Sequence, residues 1–267
     1  MKIIPTFWQA LLLIILLVLI LFFLFYIAEG IETALGLIVE KINKAVILSA
    51  LSLLIIIILG TIFTKVPLRD IYYFKKVPVL SYVLLVFATV SSFLVVSQIS
   101  TAFYLLFPMP DSVIEIFSEY FQNDIGLAFL MVVTPVLEEL LFRGLILNGF
   151  LKRYKPGYAI LFSALLFALF HLNPWQMISS FVFGLFLAWL FVKTRSLLFP
   201  ILAHIISNSL VVIVIHFPGI LPGYSFDTSE KAEFLPVWYI VFSFLLLVGM
   251  IYWFQILFKK SGNPDKP

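Results

Sequence analysis

Residues 7–28 read FWQALLLIILLVLILFFLFYIA, a stretch with no Asp, Glu, Lys, Arg or His. It matches the roughly 20 helical residues that cross a bilayer core and exceeds the apolar region of a secretion signal. No small-x-small cleavage pattern follows it, so it reads as a retained membrane span. Further apolar runs occupy residues 45–64, 78–107, 125–151, 158–172, 174–192, 197–215 and 236–258. They are continuous, not alternating apolar with polar, which excludes a β-barrel. The expected fold is therefore all-α, a polytopic transmembrane helical bundle of about eight spans.

Composition agrees with that class. Of 267 residues, 63% are hydrophobic and 12% charged, against about half and a quarter in a soluble domain. The lipid bilayer is the chain's main solvent. Cysteine is absent, which removes disulfides, thiolate metal sites, iron–sulfur clusters and a cysteine nucleophile. The formal charge of +3 is too small to imply a nucleic-acid partner, and none is expected; where the basic residues lie is more informative.

Thirteen of them fall on one face: Lys2, Lys65, Arg69, Lys75, Lys76, Lys152, Arg153, Lys155, Lys193, Arg195, Lys259, Lys260 and Lys266. The opposite face has Lys41, Lys44 and Lys231, and Arg143 lies inside a span. By the positive-inside rule both termini are cytoplasmic, as an even number of spans requires, in a multi-pass protein of the plasma membrane. Two outer loops carry helical periodicity, through Ile31, Leu35, Ile38 and Ile42 and through Val113, Phe117, Tyr120 and Phe121. Both are expected as helices lying on the membrane surface. Asp111, Glu115, Glu119 and Asp124 in the second of these loops read as a solvated outer face, and the tail 261–267 as disordered.

Ionisable groups inside spans are costly and usually face a bundle interior or a watery cavity. Here they are Glu138, Glu139 and Arg143 in the fourth run, His171 at the end of the fifth, and His204, beside the amide of Asn208, in the seventh. Glu139 and Arg143 are four apart, on one helical face, where a charge-assisted pair is expected. Glu138 lies about 100° round the helix, without an intrahelical partner, which suits a base. His204 and Asn208 share the four-residue spacing, as do Phe167 and His171. At about 1.5 Å per residue, Glu138, His171, His204 and Asn208 all reach the inner-to-middle bilayer. That depth places access to the site on the cytoplasmic side. A Glu139–Arg143 pair that merely locks helices and histidines that merely bond between helices are the duller readings. Convergence of so many polar groups in one layer favours a functional site.

At these residues the sequence resembles the CPBP family of intramembrane proteases, which includes the type II CAAX prenyl endopeptidases. Glu138, Glu139 and Arg143 in EELLFR match its Glu-Glu-x-x-x-Arg motif, Phe167 and His171 in FALFH its Phe-x-x-x-His motif, and His204 and Asn208 in HIISN its His-x-x-x-Asn motif. The resemblance spans about residues 127–215 and implies an endopeptidase that cuts without a covalent intermediate. Glu138 with His171 would activate a water, His204 and Asn208 would stabilise the oxyanion, and Glu139 with Arg143 would support them. Phe167 reads as packing. The implied partner is a membrane-associated peptide or protein, either a CAAX-type prenylated C-terminus or a bacterial peptide precursor.

Two His and one or two Glu are also zinc-type ligands, so a zinc-dependent variant is an alternative. The chain lacks His-Glu-x-x-His spacing, and the favoured reading has no cofactor and no metal. A non-catalytic immunity or scaffold protein of the same fold is the rival of a different class. A transporter is a third, without paired, interrupted halves to support it. The chain divides into N-terminal spans and loops (1–124), a catalytic core (125–215), and an outer loop, last span and tail (216–267).

Overall fold

The computed structural model describes residues 5–64, 66–217, 219–221 and 233–260. Lys2, Lys65, Lys231, Lys266 and the tail 261–267 lie outside them. The helices are α1 (Phe7–Leu35), α2 (Lys41–Thr64), the short α3 (Leu68–Ile71), α4 (Leu80–Leu106), α5 (Asp111–Phe121), α6 (Asp124–Leu151), α7 (Pro156–Phe170), α8 (Pro174–Thr194), α9 (Leu198–His216) and α10 (Val237–Lys260). Among the described residues there is no strand, only an isolated bridge between Phe74 and Ser196. The fold is an all-α polytopic bundle. Among the described residues seven helices are long and apolar enough to cross a membrane, where about eight spans were expected, and α7, at 15 residues, is a shorter apolar helix.

Local chemistry sets the helix ends. Thr6 and Gln9 form a reciprocal capping box at the start of α1, and Gly36, at φ 64°, closes that helix. Pro156 and Pro174 sit in the first turns of α7 and α8, where no N–H is needed. Asn123 caps α6 by accepting from Gly126 N at 2.6 Å. Within α6 the turns widen to π-helix at Phe129–Val133 and Leu140–Leu147. Thr134 N donates to Phe129 O, five residues back, and Pro135, which has no N–H and crowds the preceding turn, follows at once.

One core joins α1, α2, α6 and α7 around Leu17, Leu53, Phe142, Phe150 and Phe167. A second joins α4, α8, α9 and α10 around Leu85, Leu187, Phe199 and Phe254. Small residues let helices approach: a Cβ on Gly184 of α8 would meet Phe167 Cδ1 at 3.0 Å and Ala164 at 3.4 Å on α7.

The two ends of the bundle differ. At the end where α1 begins, Phe7 N donates to Tyr154 Oη at 3.2 Å, Tyr73 Oη to Asn148 Oδ1 at 2.9 Å, and Leu197 N to Tyr73 O at 2.9 Å. Phe254 and Phe258 of α10 pack there with Leu84 and Leu85 at the start of α4. At the other end Asn123 Nδ2 donates to Glu40 Oε1 at 2.8 Å, and Trp175 Nε1 to Phe107 O at 2.7 Å.

Two loop expectations change. Residues 31–42 do not form a surface helix: α1 runs on to Leu35, the chain breaks at Gly36, and α2 starts at Lys41, whose helix ties back through Lys44 to Glu29 and Glu32. The second loop is helical, as α5, but Ile114, Phe117, Tyr120 and Phe121 face a cavity in the bundle and not only a bilayer surface. An apolar stripe has the same period whether it meets lipid or protein. Asp111, Glu115, Glu119 and Asp124 are exposed.

Candidate active site

The six polar residues come from three helices, α6, α7 and α9, that α8 and the two cores bring side by side. Glu138 and Glu139 lie between the two π-helical stretches of α6, and both are buried. Arg143, one turn on and fully buried, donates through Nη1 to Glu139 Oε1 at 2.9 Å and through Nη2 to Gly184 O at 3.2 Å. Its guanidinium lies over the Phe167 ring, 4.5 Å from the centroid, a cation–π contact strengthened by the absence of water. Phe167 therefore does more than fill space. Glu139 Oε2 and Arg143 Nε find no protein partner among the described residues.

Glu139 Oε1 has a second neighbour, His204 Nδ1 of α9, at 2.9 Å. A carboxylate only accepts, so Nδ1 donates and Nε2 is turned the other way, 3.8 Å from Glu138 Oε2. Phe167 and Phe183 flank the His204 ring at 5.8 and 5.7 Å between centroids. His204 thus bridges the two carboxylates. Two carboxylates, one guanidinium and one imidazole can balance one another's charge within the cluster, as burial requires.

His171 follows α7. Its Nδ1 lies 2.8 Å from Phe167 O, an acceptor only, so Nδ1 carries the hydrogen and a neutral ring keeps its lone pair on Nε2. The next residue, Leu172, has φ 52°, a left-handed conformation that costs a side-chain-bearing residue about 1–2 kcal/mol. Asn173 then caps α8, accepting from Trp175 N at 3.0 Å. This strained corner ends α7 at His171. Asn208 Nδ2 donates to Leu130 O on α6 at 2.9 Å; an amide nitrogen has a second N–H to offer.

Glu138, His171, His204 and Asn208 line one cavity of about 570 Å³, while Glu139 and Arg143 lie behind its wall. Its remaining walls were not anticipated from sequence. Ser97, Ser100, Thr101 and Tyr104 line it from α4, and Gln176, Ser179 and Ser180 from α8. Their three- and four-residue spacing is a polar stripe on an otherwise apolar helix, a signal that would have revealed them. The Tyr120 phenol of α5 also faces in; burial, and then the charge of Glu138, push its pKa up to about 12.

Access differs from the expectation. The lining residues come from the second half of α4, the first half and middle of α6, the end of α7, the first half of α8 and the middle of α9, under α5. Most lie towards the end of the bundle away from the start of α1. The end expected to be cytoplasmic is closed by Leu141, Phe142, Leu145 and Phe150, all buried in α6. Residue counting yields depth but does not say which half of a helix is packed shut.

His171, His204 and Glu138 are a zinc-type donor set, but among the described residues no three His, Asp or Glu side chains are arranged to hold a metal ion. The arrangement as it stands does not fit one.

Residues 122–210 match the family model described as type II CAAX prenyl endopeptidase Rce1-like. Over that segment, about a third of the chain, it is similar to the CPBP/CAAX membrane protease family. Over 83 residues, 31% of this chain, it is 30% identical to "Putative membrane peptidase YdiL" of Bacillus subtilis (strain 168), and the match spans about a third (34%) of that relative's length. No solved structure matches. The family segment contains all six polar residues, whereas the α4 wall and the α5 roof lie outside it.

Proposed function

We propose that the chain is an intramembrane endopeptidase that hydrolyses membrane-associated peptides or proteins with a water activated by Glu138. The single observation that supports this most strongly is His204 bridging Glu138 and Glu139 beside a cavity large enough for a peptide segment. Glu139 and Arg143 fix the His204 ring, leaving Glu138 the carboxylate that faces the cavity.

In the proposed reaction a water donates to Glu138 and to the Nε2 lone pair of His171. Its oxygen bonds to the scissile carbonyl carbon as its proton passes to Glu138. The oxyanion accepts from the free N–H of Asn208 and from protonated His204 Nε2, fixed dipoles in a site with little water to compete. Collapse breaks the C–N bond, and Glu138 returns the proton to the departing amine. No step requires a metal, and resistance of cleavage to chelators is the expected result.

The test compares membrane-associated peptides from cells with the wild-type chain and cells with Glu138→Ala. An uncut precursor that accumulates only with the variant would identify the substrate. Identical peptide patterns, together with no cleavage by the purified chain of any peptide in a diverse set, would favour a non-catalytic scaffold or immunity role.

A further inference from the structure

We infer that the site admits its substrate, a peptide segment, from the extracytoplasmic side of the membrane. The inference rests on the proposed peptidase reading and extends it to the side of action. Three observations converge on it.

The first is the direction of the cavity. From Glu138 it runs past Ser97, Ser100, Thr101 and Tyr104 along α4 towards Met109 and α5, at the end of the bundle opposite the start of α1. In the other direction lie Arg143, Phe142 and Phe150, each fully buried. A peptide reaching Glu138 from that side would have to displace the core that joins α1, α2, α6 and α7.

The second is the charge at the two ends. Arg69, Lys75, Lys76, Lys152, Arg153, Lys155, Lys193 and Arg195 cluster at the closed end. Among the described residues the open end carries only Lys41 and Lys44, and Lys44 is engaged by Glu29 and Glu32. Basic loops are retained in the cytoplasm, so the closed end is cytoplasmic and the open end faces out. Exposed Asp111, Glu115 and Glu119 on α5 surround the approach with negative charge, which disfavours an acidic segment there.

The third is the lining. The walls are mostly apolar, with Phe93, Phe117 and Phe183 among them, and carry a polar stripe on α4 and α8. Ser97, Ser100 and Ser179 donate to carbonyls of their own helices, at Leu94, Val96 and Gln176, and keep oxygens that can accept. A wall of both kinds suits an extended peptide, whose N–H groups must be paired when removed from water and whose side chains can be apolar.

The absence of native cysteine makes single-cysteine labelling direct. Ser100→Cys and Glu115→Cys, with Lys155→Cys as the opposite-end control, are made in the full chain and treated in intact cells with a membrane-impermeant thiol reagent. The expected result is labelling of Ser100→Cys and Glu115→Cys from outside, with Lys155→Cys labelled only after permeabilisation. If Ser100→Cys fails to fold, Met109→Cys replaces it. Labelling of the cavity cysteine only from the cytoplasmic side, or from neither side until detergent is added, overturns the inference. This readout does not depend on catalysis, so it stands or falls apart from the peptidase reading. A second arm offers a diverse peptide set to sealed vesicles of each orientation. Cleavage is expected with right-side-out vesicles and lost with inverted ones; cleavage only with inverted vesicles overturns the inference.

Discussion

Glu139 Oε1 takes two donors, Arg143 Nη1 and His204 Nδ1, each at 2.9 Å, with no exposed surface on Glu139 or Arg143. Removing one member of a buried pair leaves the other charge uncompensated and costs about 3–5 kcal/mol, more than most single substitutions. Arg143→Ala is therefore expected to lower the unfolding midpoint in detergent sharply. The paired change Glu139→Gln with Arg143→Met should recover much of that stability without restoring activity. A pair worth little would instead give equal midpoints for Arg143→Ala and wild type. Glu138 is different in kind, since its nearest charged partner is His204 Nε2 at 3.8 Å, too long for a hydrogen bond. Glu138→Gln should leave the midpoint nearly unchanged, and unfolding monitored by intrinsic fluorescence checks this. The pairing of Glu139 with Arg143 was legible from their spacing alone. The role of His204 as a bridge was not, because the rotation of α9 against α6 is set by packing that no local pattern records.

At the scale of elements, the corner between α7 and α8 and the roof α5 carry the consequences. Leu172 holds φ 52° while two-thirds exposed, so its side chain gives little back for the strain. Leu172→Gly should raise stability by up to about 1 kcal/mol, and Leu172→Val should lower it, because a β-branched residue tolerates positive φ least. Thermal unfolding of the two variants separates them; equal shifts would mean the corner is not strained. In α5, the Tyr120 phenol stays protonated up to about pH 12, held there first by burial and then by the charge of Glu138. Because the folded value lies above the ordinary 10, the contribution of the neutral phenol to stability is complete below pH 10. It is lost as the pH rises towards 12. Tyr120→Phe should abolish that alkaline loss, as proteolytic accessibility of α5 measured against pH would reveal. The existence of α5 was legible from its periodicity. Its inward orientation was not, since lipid and a cavity wall ask the same of an amphipathic helix. The π-helical turns of α6 had a visible cue in Pro135, but only the structure shows how far the widening spreads.

For the whole molecule, the run lengths made the membrane class readable, and seven of the eight runs are helices long and apolar enough to cross; the short fifth run became α7. The direction in which the cavity opens was misjudged. It depends on which half of each helix is packed shut, and large apolar side chains fill the buried half of a membrane bundle and line its lipid face alike. The 15 residues of α7 extend only about 22 Å, against a hydrocarbon core of about 30 Å, and Tyr158, Leu161 and Leu165 are exposed on it. The bilayer must thin beside this helix, at a cost that grows with lipid length. Cleavage rates in proteoliposomes should therefore be higher in short-chain than in long-chain phosphatidylcholine, and an opposite order would contradict this placement of α7. Above all these consequences stands the claim that a buried carboxylate drives hydrolysis. Its most direct measurement is the rate of peptide cleavage by the purified full chain and by Glu138→Gln, side by side in one detergent. The account predicts a loss of about 10²-fold or more with the fold intact; cleavage at the wild-type rate by a folded Glu138→Gln chain would contradict it.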